Sequence, residues 1–150
     1  MTERSLSDVP AASSAAVRKR MSSQAKRDTA CELSIRSMLF ARGHRYRVHL
    51  PVPGNARRSI DVAFIGRRVA VFVDGCWWHG CPEHGHEARS NTEWWKRKIR
   101  RNQERDAETD YLLEQQGWRV LRIWEHAAPE EAVRLVEEAL AASSRPAERL

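Results

Sequence analysis

Only three cysteines occur in the 150-residue chain, too few for the disulfide framework that holds many small secreted domains together, and two of them, Cys76 and Cys81, stand beside histidines. Thiols so placed suit a reducing compartment and a metal ion better than a disulfide. No stretch approaches the ~18 consecutive apolar residues of a membrane span, and the N-terminus lacks the apolar core of a secretion signal. These absences predict a cytoplasmic protein. No internal repeat is visible, which removes solenoids and propellers from consideration. Acidic charge is in the minority as well: 20 acids stand against 26 Lys and Arg, and the net charge of +6 favours a polyanionic partner.

What is present suffices for one domain, with 41% hydrophobic residues to build one core. Residues 1–16 are rich in Ser, Ala and Thr without a periodic apolar face, and are expected to form a disordered arm. The folded unit is expected over 17–142, its first part (17–28) a basic arm able to lie along phosphates, with 143–150 a frayed tail. Thr29-Ala30-Cys31-Glu32 has the form of a capping box and starts a helix that ends near Gly43. Cys31, Ile35, Met38 and Leu39 form its core stripe, so Cys31 is read as packing and not as a ligand. Tyr46, Val48 and Leu50 alternate as a strand, 51–55 breaks it, and a second strand is expected from Ile60 to Ile65. Gly66-Arg67 then turns the chain into the apolar strand 69–73. The resulting antiparallel hairpin puts Asp61, at the beginning of one strand, and Asp74, at the end of the other, at the same end. A long helix follows from Asn91 or Thr92 to about Gln116, then a strand over 118–124 expected inside the sheet. A closing amphipathic helix starts at Pro129 and points Ala132, Val133, Val136, Ala139 and Leu140 inward. The fold class is α/β.

Chemistry concentrates in Cys76-Trp77-Trp78-His79-Gly80-Cys81-Pro82-Glu83-His84, at the end of the strand 69–73. Cys76, Cys81 and His84 have the spacing of a structural zinc site, and a fourth ligand must come from elsewhere. His126 and His86 both qualify. His79 has the right ordinary pKa, about 6.5, for a base near neutrality, and such a base is usually oriented by a carboxylate. Trp95, Ile99, Asn102 and Asp106 share one face of the long helix. If that face packs over the sheet end, Asp106 can hold His79 while Asp61 binds a hard cation such as Mg²⁺. The plain alternative for Asp106 is an ion pair or hydrogen bond along its own helix with Arg101, Arg105 or Asn102. Trp77 and Trp78, with Trp94 and Trp95 among Lys96, Arg97, Lys98, Arg100, Arg101 and Arg105, suit stacking on bases and wedging into a weakened DNA step. Trp118 and Trp124 are read as core.

Together these blocks resemble the very short patch mismatch endonuclease family, bacterial enzymes with a type II restriction-endonuclease-like fold that nick DNA beside a T:G mismatch. The resemblance runs from about Arg18 to about Leu140. It rests on the blocks at 26–32, Asp61 before an apolar strand, 74–84, Trp94-Trp95, 102–106 and 117–125. It implies a central mixed sheet flanked by helices, with a structural zinc. By resemblance, Asp61 and the main-chain carbonyl of Val73 would ligate Mg²⁺, His79 with Asp106 would activate water, and Glu32 would be an auxiliary acid. Trp77, Trp78 and Trp95 match intercalating aromatics, and Met21 matches a residue of the N-terminal arm. Ile60 stands where many nucleases of this fold carry proline, and Cys76 where they carry a catalytic lysine, which is why a histidine base is needed.

The expected function is a monomeric, Mg²⁺-dependent endonuclease that cleaves one strand 5′ to the T of a T:G mismatch and so initiates repair of deaminated 5-methylcytosine, in the bacterial cytoplasm at the nucleoid. The flanking sequence, the methylation dependence and recruitment by mismatch-repair factors are left open. Two other classes compete: a restriction-type nuclease cutting unmispaired duplex, and a zinc-stapled DNA-binding module without catalysis.

Overall fold

A computed structural model describes residues 29–76, 81 and 91–143. The expected arm and tail, and with them Met21, Trp77, Trp78, His79, His84 and His86, lie outside the described residues.

The first helix, α1 (Ala30–Ala41), starts as its sequence requires: the Thr29 hydroxyl accepts a hydrogen bond from the Glu32 N–H at 3.2 Å. It stops at Arg42, and Gly43 follows at φ +87, a conformation open to glycine without strain. Ile35 and Leu39 are buried, and Cys31 and Met38 pack half-buried against the same cluster, as the stripe predicts.

Strands β1 (Arg47–Val52) and β2 (Asn55–Phe64) form an antiparallel hairpin. The second strand begins at Asn55, not at Ile60, because Val52-Pro53-Gly54-Asn55 closes a tight turn instead of a longer break. Proline pre-sets the second turn position and Gly54, at φ +90, supplies the third. Gln116 clamps this turn by donating from Nε2 to the Pro53 carbonyl at 2.7 Å. Asp61 therefore lies within a strand and not at its start.

A short 3-10 turn (Ile65–Arg67) leads into β3 (Val69–Asp74), antiparallel to β2 from Phe64↔Val69 to Val62↔Val71. Helix α2 (Thr92–Gln115) follows, then β4 (Arg119–Trp124), then α3 (Pro129–Ala142). Strand β4 runs parallel to β3 from Val69↔Arg119 to Asp74↔Trp124, and the order is β1-β2-β3-β4. The expectation of an interior position for β4 is corrected: among the described residues it is an edge strand. Its apolar residues face helices on both sides, which explains the unalternating pattern without a further strand.

Helices α1 and α3 cover one face of the sheet, where Ile35, Leu39, Val133 and Val136 meet Val62, Phe64, Val71 and Ile123. Leu113 of α2 covers the other, against Val52, Ile60, Ala63, Ala70 and Phe72. Each such aliphatic side chain contributes roughly 1.5–3 kcal/mol by leaving water. Ala132, Val133, Val136, Ala139 and Leu140 are the buried residues of α3, as its spacing predicts. Among the described residues no helix is long and apolar enough to cross a membrane.

Candidate active site and metal centre

Along β2, Ile60 and Ala63 pack on the α2 side while Val62 and Phe64 pack on the other. A strand alternates with period 2, so the sense of alternation slips once between Ile60 and Val62, at Asp61. The slip has a counterpart in β1. The pairs Val48↔Val62 and Leu50↔Ile60 leave His49 opposite Asp61, and His49 is left-handed at φ +50. A non-glycine residue there costs on the order of 1–3 kcal/mol and persists only where surrounding structure holds it.

At this kink the ladder of β2 with β3 has ended, and the Asp61 side chain takes over: Oδ2 accepts the Val73 N–H at 2.8 Å. Donor atoms of Asp61, His49 and Glu32 lie within 4.8 Å of one another. Glu32 is 3% exposed, so the capping interaction explains only its main-chain N–H, and its carboxylate is turned inward to Asp61. Burial raises the Asp61 carboxyl to about 6; the Val73 N–H opposes this, the charges of Glu32 and Asp74 reinforce it, and His49 opposes it. A buried carboxylate, a half-buried one held above its ordinary range and an imidazole form a donor set that a divalent cation would relieve.

Arg122 of β4 organises the neighbouring carboxylates. Its Nε and Nη2 donate to Asp110 at 2.9 and 2.7 Å, its Nη1 donates to Asp74 at 3.0 Å and lies 3.6 Å from Asp106 Oδ1. The guanidinium also lies over the Phe72 ring at 4.3 Å from the centroid. Hydrogen bonding to Asp110 and the charges of Asp74, Asp106 and Asp110 raise its pKa against the opposing effect of burial. Trp95, Ile99, Asn102 and Asp106 are all half-buried, so their shared face looks to the protein. Asp106 meets a cation from β4, a partner that reading along its own helix does not supply. Arg58 adds a second tie, donating to Thr109 Oγ1 at 2.8 Å and to the Arg105 carbonyl at 3.1 Å.

Two residues beyond Asp74 the chain enters the thiol centre. The Cys81 N–H donates to the Cys76 carbonyl at 3.0 Å, and His126 Nδ1 lies 3.2 Å from Cys76 Sγ and 3.7 Å from Cys81 Sγ. Both thiols are buried, and burial, followed by Cys81, pushes the Cys76 thiol up to about 11. Two thiols and an imidazole from segments some fifty positions apart thus converge in a set suited to Zn²⁺. Glu125 fastens the centre to the sheet: its N–H donates to the Asp74 carbonyl at 2.9 Å and its carboxylate accepts the Cys76 N–H at 3.0 Å. Trp94 and Trp95 pack edge to face at 4.7 Å where α2 opens, and Trp118 packs half-buried on the core.

Three participants escape a reading of the sequence. His49 hides in the polar phase of a short alternating strand, and only its backbone conformation marks it. Arg122 carries a signal, a charge in an apolar strand, and that signal calls for buried acids. Glu125 has none beyond its place before His126.

Residues 11–86 match the family described as DNA mismatch endonuclease Vsr. The chain is 41% identical over 133 residues to the type II nicking enzyme V.NaeI of Lentzea aerocolonigenes, covering 87% of this chain and 80% of that protein. It is 36% identical over 115 residues to the DNA mismatch endonuclease Vsr of Escherichia coli (strain K12), covering 73% and 69%. Against the type II nicking enzyme V.XorIIP of Xanthomonas oryzae pv. oryzae the identity is 36% over 102 residues, with 66% and 71% covered.

Proposed function

Since this chain belongs to the Vsr family and is a DNA nicking endonuclease, we propose that it acts on T:G-mismatched duplex, cutting one strand 5′ to the thymine in a Mg²⁺-dependent reaction. The observation that carries the reading is Asp61, half-buried at a kink in the sheet, hydrogen-bonded to Val73 and within reach of Glu32. Family membership removes the non-catalytic DNA-binding alternative. Mismatch preference is supported by the name of the Escherichia coli relative, a DNA mismatch endonuclease.

In this mechanism Asp61 and the Val73 carbonyl would hold Mg²⁺, with Glu32 beside them as an auxiliary acid. When bound, the cation supplies positive charge to the scissile phosphate. His79 accepts the proton of the attacking water, and Asp106 fixes the orientation of its ring. Asp106 is suited to this because Arg122 and the packing of α2 restrict where its carboxylate can go. Trp77, Trp78 and Trp95 insert beside the mismatch from one groove while Met21 of the basic arm enters from the other. A mispaired step is cheaper to unstack than a paired one, and selectivity follows from that difference. Cys76, Cys81 and His84 would hold Zn²⁺ with His126, whose ring lies beside both thiols, as the fourth ligand in preference to His86, and the ion would tie the segment after β3 to the segment after β4. The enzyme acts as a cytoplasmic, nucleoid-associated monomer and initiates repair of deaminated 5-methylcytosine.

The test is a strand-labelled T:G duplex in varied flanking sequence, incubated with protein and Mg²⁺ beside Asp61→Ala and His79→Ala. Nicking of the T strand by wild type and its loss in both variants is expected. Equal cutting of fully paired duplex would replace this reading with the restriction-type one, and nicking by Asp61→Ala would remove Asp61 from the mechanism.

A further inference from the structure

The structure assigns to His49 a place among the ligands of the catalytic cation, as its nitrogen donor. This rests on Asp61 being a cation ligand, and two separate observations support it. A ring nitrogen of His49 lies within 4.8 Å of carboxylate oxygens of both Asp61 and Glu32, a spread that three ligands of one ion can adopt after small side-chain adjustments. Independently, the backbone at His49 is left-handed, φ +50, in the middle of a strand whose neighbours on either side pair in register. Nothing in the β1–β2 turn needs that conformation, since the turn is closed by Pro53 and Gly54, four and five residues further on. It falls where β2 also changes its alternation, opposite Asp61. Two adjacent strands thus depart from regular geometry at the one level where His49, Asp61 and Glu32 meet.

An imidazole in an otherwise oxygen-rich site has a chemical consequence. Mg²⁺ and Ca²⁺ take oxygen donors almost exclusively, whereas the first-row transition dications, of which Mn²⁺ is the weakest-binding, also accept imidazole nitrogen. His49 should therefore make the site bind Mn²⁺ more tightly than two carboxylates and a carbonyl would.

The experiment uses the full chain, first given one equivalent of Zn²⁺ so that Cys76, Cys81 and His126 are occupied, and then titrated with Mn²⁺. Free Mn²⁺ is counted by electron paramagnetic resonance, and pulsed measurements report ¹⁴N coupled to the bound ion. Wild type, His49→Gln, His49→Asn and Asp61→Asn are compared, with asparagine included because it tolerates left-handed backbone. Wild type is expected to bind Mn²⁺ with a ¹⁴N coupling. Both His49 variants should lose the coupling and bind at least about tenfold more weakly, as disturbing a metal's supporting residues commonly does. Coupling that persists in a folded His49 variant, or wild-type Mn²⁺ that depends on Asp61 yet shows no ¹⁴N, overturns the assignment of His49 alone. Mn²⁺ that binds Asp61→Asn as it binds wild type, or no Mn²⁺ on wild type, overturns the Asp61 reading and His49 with it.

Discussion

Asp61 occupies a position that opposes its own charge. Its carboxyl rises from an ordinary value of 3.8 to about 6, with burial the leading cause, so ionising it at neutral pH costs the native state about 3 kcal/mol. The unfolded chain ionises near the ordinary value. The cost is therefore absent below about pH 4, grows as pH rises through 6, and is complete above it. Urea unfolding of protein without Mg²⁺ should show this group's penalty appearing between pH 4 and 7, and Asp61→Asn should remove that slope while nicking is lost. A wild-type stability that does not fall relative to Asp61→Asn over this range would contradict the burial argument. Thr29 makes a smaller, independent contribution: Thr29→Ala removes the acceptor for the Glu32 N–H and should cost about 1 kcal/mol in the same assay.

At the scale of elements, β4 and α2 are joined through Arg122, which gathers Asp74 from β3 and Asp106 and Asp110 from α2 around one guanidinium. Removing one partner of a buried ionic group is more damaging than the net worth of the group, because the remaining charges stay behind. Arg122→Leu should therefore destabilise by roughly 3–5 kcal/mol, and adding Asp110→Asn should recover part of it, both read by denaturant midpoint. If the pair of changes is no better than Arg122→Leu alone, charge repulsion is not the cause. Much of this level was legible in the sequence. The cap and stripe of α1, the start of α2 at Asn91-Thr92 and the Pro129 start and stripe of α3 follow from local spacing, and the β2–β3 hairpin follows from alternation. The start of β2 and the edge position of β4 were not, because strand pairing depends on neighbours remote in sequence and on the turn at Pro53-Gly54. Asp61 and Asp106 stand out as acids in apolar patterns, whereas the left-handed His49 leaves no compositional trace.

For the whole molecule, the convergence of Cys76 and Cys81 with His126 ties the loop after β3 to the segment after β4. Structural zinc sites contribute on the order of 10 kcal/mol, comparable with the stability of an entire small domain. A strong chelator should then lower the melting temperature of the protein sharply and release one equivalent of Zn²⁺, with Cys81→Ser already melting low and insensitive to the chelator. A melting temperature unmoved by the chelator in protein shown to hold zinc would deny the ion its structural part. His126 could be proposed from the sequence as a partner of the two thiols, but Glu125, which bonds to both Asp74 at the end of β3 and Cys76 beyond it, could not. The short path from Asp74 through Gly75 to Cys76 has a practical corollary. A preparation stripped during purification would lose turnover although Asp61 and Glu32 were chemically intact, so its specific activity should scale with the fraction of molecules still carrying zinc, and kinetic comparisons among variants need normalising to that occupancy.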